Sequence, residues 1–205
     1  MTHQELAGKL ARYLPAGAEN IIARWIIEYK VYFKITLPRN SVYGNYLCPQ
    51  NGKGHIITIN GNLNRYSFLV TTIHEFAHLF TWNVYKNTVK PHGKEWKEIY
   101  TKNLLPFLHG KYFPEDVARA LHKHLSSPSA STCTDTDLLK ILKKYDGIKE
   151  TVFLEELSEG EIFEFYGKIF VKGKLKRTRF ECPIHQGKSV YLISKIAEVK
   201  RLSNG

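Results

Sequence analysis

The sequence is poor in cysteine, in acidic residues and in long apolar runs, and each shortage excludes a class of protein. Three cysteines in 205 residues, Cys48, Cys133 and Cys182, are an odd number without framework spacing, so no disulfide scaffold is expected. No apolar run approaches the roughly 20 residues that a membrane span requires. Met1 to Leu14 is polar and interrupted, unlike the apolar centre of a secretory signal. No Asn-x-Ser/Thr acceptor occurs either. These features predict a soluble protein of a reducing compartment, the cytoplasm, with no membrane partner. Against 30 Lys and Arg stand 19 Asp and Glu, a formal charge of +11. That excess suits a polyanion such as nucleic acid, and equally a solvated basic surface.

What remains is ordinary globular usage, 43% hydrophobic and 24% charged, in a length that fits one domain or two small ones. Thr2-His3-Gln4-Glu5 has capping-box spacing, and Leu6, Leu10 and Leu14 follow before Pro15. Ile21, Ile22, Trp25, Ile26 and Tyr29 predict a second helix from Ala18 to about Lys30. Val31 to Leu37, Tyr43 to Leu47 and His55 to Ile59 read as short strands, and a long helix is predicted from Arg65 to about Tyr85. Helices from Gly93 to Leu105 and from Pro114 to Leu125 follow. The small-residue tract Ser126 to Thr132 has linker composition, and Leu138, Leu139, Ile141 and Leu142 mark a short amphipathic helix after it. From Thr151 onward the pattern is short strands between turns. The predicted organisation is a helix-rich α+β domain over residues 1–125, a linker with a short helix over 126–149, and a small β-rich domain over 150–205.

The segment that carries chemistry is Thr72-Ile73-His74-Glu75-Phe76-Ala77-His78-Leu79-Phe80. Two histidines four apart on a helix lie one turn apart on one face, where both can reach a single ion. Glu75 lies beside that pair, where its carboxylate can bind a metal-activated water. Imidazole ligands at this spacing suit Zn²⁺ better than oxygen-seeking ions. A bare helix with two partly exposed histidines and a surface glutamate would show the same letters. A catalytic zinc site also needs a third protein ligand, and His92 in Pro91-His92-Gly93-Lys94-Glu95-Trp96 offers one. Gly93 beside it permits close backbone approach. His109, His122 and His124 are rival ligands. The last two are two apart, point apart on a helix, and read as surface histidines.

His74-Glu75-x-x-His78 followed by His92-Gly93-x-x-Trp96 resembles the SprT-like metalloprotease domain, found in bacterial SprT proteins and in the DNA-dependent protease Spartan. Tyr43-Gly44-Asn45-Tyr46 and His55 to Asn60 are similar to the strands that precede the family's zinc helix. The resemblance spans roughly residues 15 to 125. It implies a minimal zincin-like fold and one zinc per chain on His74, His78 and His92. Glu75 would be the general base, and the substrates proteins associated with or crosslinked to DNA. Tyr43, Tyr46 and Tyr112 are candidate oxyanion partners. Many bacterial SprT proteins end in a cysteine-rich zinc ribbon; here only Cys182-x-x-His185 remains, which reads as a core cysteine and a surface histidine.

The β-rich end has a charge split. Glu150 to Glu164 holds six glutamates and no base, and Lys168, Lys172, Lys174, Lys176, Arg177 and Arg179 follow without an acid among them. Phe170 and Phe180 flank the run, an interleaving found on DNA- and RNA-binding surfaces. In a strand or hairpin, Lys172, Lys174 and Lys176 would share one side. The competing function is a nucleic-acid-binding or regulatory protein whose zinc site does not turn over.

Overall fold

Helix α1 (His3–Leu10) starts at its capping box: the Thr2 hydroxyl accepts from the Glu5 N–H, and the Glu5 carboxylate accepts from the Thr2 N–H at 2.8 Å. The computed structural model describes residues 1–39, 42–126, 135–147 and 151–202. Cys133 and the small-residue tract beyond Ser126 lie outside the described residues. The chain forms two units, Met1–Asp146 and Gly147–Gly205, each built in α+β manner or from strands.

In the first unit, α1 is followed by α2 (Ala18–Glu28) and then β1 (Tyr32–Thr36), β2 (Gly44–Leu47) and β3 (Ile56–Asn60). The sheet order is β1-β3-β2; β1 runs parallel to β3 and β2 antiparallel to it. Helix α3 (Arg65–Tyr85) is capped by Asn64, whose side chain accepts from the Tyr66 and Ser67 N–H groups. It packs on β2 and β3 and on α4 (Lys94–His109). Being covered on several sides, α3 is apolar nearly all round: Phe68, Leu69, Ile73, Phe76, Ala77 and Leu79 are all fully buried. Trp25 of α2 anchors this core against Phe76, Phe80 and Phe107, with ring centroids 5.2 to 5.7 Å away.

Helix α4 runs four residues past Leu105, through Pro106. The proline forfeits one backbone bond in the last turn, while buried Phe107 and Leu108 hold the turn to the core. Helices α5 (Glu115–Ser126) and α6 (Thr136–Lys143) complete the unit. The segment read from sequence as a linker helix thus folds onto the first core, through buried Leu138 and Leu142.

The second unit holds two small sheets. The strands β4 (Thr151–Phe153), β10 (Glu198–Arg201), β5 (Ile162–Phe165) and β6 (Lys168–Val171) form one in that order, and a 3₁₀ turn, Leu154–Glu156, follows β4. The other consists of β7 (Leu175–Lys176), β8 (Arg179–Pro183) and β9 (Val190–Ser194). Its core includes Leu154, Phe163, Phe170, Cys182, Ile193 and Val199. Among the described residues, no helix is long and apolar enough to cross a membrane.

Candidate metal centre

The middle of α3 carries His74, Glu75 and His78, and the loop before α4 carries His92. His92 has a φ of 58°, in the left-handed region, so the chain turns sharply just before the helix. Gly93 makes the turn possible: its N–H donates to the Lys90 carbonyl at 2.9 Å, and a Cβ there would lie 2.9 Å from that same oxygen. The turn brings His92 Nε2 to 3.1 Å from His74 Nε2, and His78 Nε2 lies 3.2 Å from it on the other side. Ligand atoms of all three fall within 4.8 Å of one another. Tetrahedral bonds of about 2.0–2.1 Å to nitrogen place the nitrogens roughly 3.3 Å apart. The three residues therefore fit a metal ion with three imidazole ligands.

Trp96, buried one turn into α4, backs this cluster. Its ring centroid is 4.7 Å from those of His74 and His92 and 5.2 Å from that of His78. Tyr100 stacks on its far side at 4.9 Å. Burial lowers the pKa of His74 to about 2, with further lowering by His78, His92 and His124. Burial likewise takes His78 down to about 4, and lowers His92, with Lys97 adding to the effect. The imidazoles are thus neutral near pH 7 with lone pairs ready for a ligand bond.

Glu75 is buried beside them, and burial raises its pKa to about 8; the charge of Arg39 and the backbone N–H of Tyr46 partly oppose that rise. Strand β2 sits over this carboxylate. A Cβ on Gly44 would come within 2.7 Å of Glu75 Oε1 and of Thr71 Cγ2, so only glycine leaves the space. The Tyr46 ring lies parallel to the His78 ring, 2° apart in plane with centroids at 6.3 Å. Its hydroxyl is 3.0 Å from His55 Nδ1. Arg39 is held by Asn60 and Thr58, its Nε donating to Asn60 Oδ1 at 2.8 Å. Gly44, Arg39 and Tyr46 thus shape the environment of the carboxylate.

Residues 33–105 match the model of the SprT-like family. This segment is SprT-like. The SprT-like segment contains His74, Glu75, His78 and His92 together with Gly44, Tyr46 and Trp96, and the second unit lies outside it. Comparison with curated proteins and with solved structures gave no significant match.

Other residues singled out in the sequence fall elsewhere. His109 and His122 are exposed. His124 is a correction: it is buried, with Nδ1 2.9 Å from Asp135 Oδ2. Tyr43 enters β2 with Lys143 Nζ 5.8 Å over its ring, and Tyr112 packs on Phe107. Cys182 is buried and His185 exposed.

The basic run of the second unit needs a larger correction. Lys168, Lys174, Lys176, Arg177 and Arg179 are exposed, but Lys172 is only 6% exposed. Its Nζ donates to the Glu155 and Leu157 carbonyls and lies 4.1 Å over the Phe180 ring. Lys172 therefore shares no outer face with Lys174 and Lys176, because carbonyl oxygens and an aromatic face solvate its ammonium inside the unit.

Proposed function

We propose that the first unit is a zinc metalloendopeptidase of SprT-like, zincin-like type, acting on proteins associated with or crosslinked to DNA. The observation that carries the reading is the convergence of three neutral imidazoles beside one buried carboxylate. His74, His78 and His92 would hold one zinc ion, leaving a fourth position open to water or substrate. When bound, zinc would supply an acidified water and polarise the scissile carbonyl. Glu75 takes the proton of the attacking water and returns it to the leaving amine. A cation on the neighbouring imidazoles favours the charged form of Glu75, so it serves as a base at neutral pH. Gly44 leaves room for that carboxylate, and Trp96 holds the three rings at their mutual angles. In the order β1-β3-β2, strand β2 lies at the edge. An extended substrate could add there as a further strand.

Glu75→Gln tests the chemistry. The variant should keep one zinc per chain and lose about 10²- to 10⁴-fold in cleavage of a DNA-bound protein. Equal rates for variant and wild type would remove Glu75 from the mechanism. The DNA part of the proposal rests on the family resemblance and on the basic balance of the chain. An assay with and without DNA tests it separately.

A further inference from the structure

The β5–β6 hairpin of the second unit turns on two residues, Tyr166 and Gly167, between the paired Phe165 and Lys168. Both are left-handed, with φ of 49° and 73°. This is the geometry of a type I′ loop, where Asn, Asp or Gly is the favoured first residue. A bulky aromatic there is locally disfavoured, and it gains little from burial, since Tyr166 is 68% exposed. Folding alone would choose another residue at this tip.

Tyr166 borders a cleft of about 410 Å³ shared with Lys168, Arg179, Tyr191 and Leu192, within the roughly 300–1,000 Å³ range of ligand clefts. Tyr191 and Leu192 are 40% and 55% exposed, and Lys168 Nζ lies 5.5 Å from the centre of the Tyr191 ring. Among the described residues, two cations line this cleft and no carboxylate does, although the unit is rich in glutamate. Several of those glutamates are engaged by other cations: Glu155 with Lys195 at 3.8 Å, Glu161 with Arg201 at 3.4 Å, and Glu181 with Lys176 at 3.6 Å.

We propose that this cleft binds single-stranded nucleic acid, with an unpaired base stacking on Tyr166 or Tyr191 and Lys168 and Arg179 taking the flanking phosphates. Flat exposed rings beside cations in a cleft lined by no carboxylate among the described residues fit a partner that has both planar faces and negative charge. A duplex hides its base faces, and an acidic peptide offers charge without planes. The site belongs to the second unit and does not depend on the first unit cleaving proteins.

Tyr166→Asn separates binding from folding, because Asn suits the type I′ loop better than Tyr. In the full chain the variant should melt no lower than wild type, yet bind fluorescent oligo-dT or oligo-U about fivefold or more weakly. Lys168→Glu should weaken the same binding and lower its dependence on salt by about one phosphate contact. A duplex of equal length should bind more weakly than the single strand and respond less to Tyr166→Asn. The proposal is overturned if both variants bind oligo-dT and oligo-U like wild type, or if the duplex binds as tightly as the single strand with the same response. Cleavage assays on the same proteins report on Glu75 independently.

Discussion

Burial raises Glu75 to about 8, so in zinc-stripped protein its carboxyl carries a proton at neutral pH. His74 and His78, lowered to about 2 and about 4, carry none there. Zinc binding should pull the Glu75 pKa down, since a nearby cation favours the carboxylate. At pH 7 it should therefore release close to one proton per zinc, from Glu75 rather than from the imidazoles. The release should shrink as pH rises past 8, where the group is already ionised. Calorimetric titration of zinc in buffers of different ionisation enthalpy measures this number, and Glu75→Gln should lower it to what the acidified zinc-bound water alone releases. Gly44→Ala makes a second residue-scale test. The added methyl meets Oε1 at 2.7 Å, so cleavage should fall at least tenfold while zinc content stays at wild-type level. Unchanged cleavage would mean that the carboxylate need not keep its observed position.

At the scale of elements, α5 and α6 are clasped by one carboxylate. Asp135 Oδ1 caps α6 by accepting from the Asp137 and Leu138 N–H groups, and Oδ2 faces His124 Nδ1 on α5. Asp135→Ala should cost about 1 kcal/mol for the cap alone. It should cost more in total, because buried His124 loses a hydrogen-bond partner. Chemical denaturation compares it with His124→Ala; the two costs should fail to add in the double variant.

The same elements show how far sequence reasoning reached. Helix α3 was legible from its strongly helical pattern. His74 and His78, with Glu75 beside them, could be named because an imidazole pair on one ion needs helical spacing, and His92 because a catalytic zinc site needs a third protein ligand. The burial of His124 was within reach: residues two apart point apart, so with His122 outside, His124 faces the core. The continuation of α4 through Pro106 was not legible, since buried Phe107 and Leu108 outweigh a local rule. Lys172 was hidden for a similar reason. The carbonyls that receive it come from 15 and 17 residues away, and no local pattern announces them. Gly44 carried a signal, a glycine within a strand, but its cause, Glu75, lies 31 positions on.

On the scale of the whole chain, the +11 charge divides between units that have separate cores. Residues 1–146 hold 19 bases and 11 acids, for +8; residues 147–205 hold 11 and 8, for +3. The two buried clusters share no residue, and a core as small as the second stands near the lower limit for independent stability. A ligand that binds one folded unit stabilises that unit by mass action and leaves a thermodynamically separate one unchanged. Free zinc a thousandfold above its Kd should contribute about 4 kcal/mol to the first unit, which is on the order of 10 °C in its melting temperature. Calorimetry of the full chain with zinc and then with a chelator should show one transition that shifts and one that does not. A fragment of residues 1–146 identifies which is which: it should reproduce the shifting transition and bind one zinc. If both transitions move together, the units fold as one cooperative body, and variants in the second unit would then have to be read for their effect on the metal centre as well.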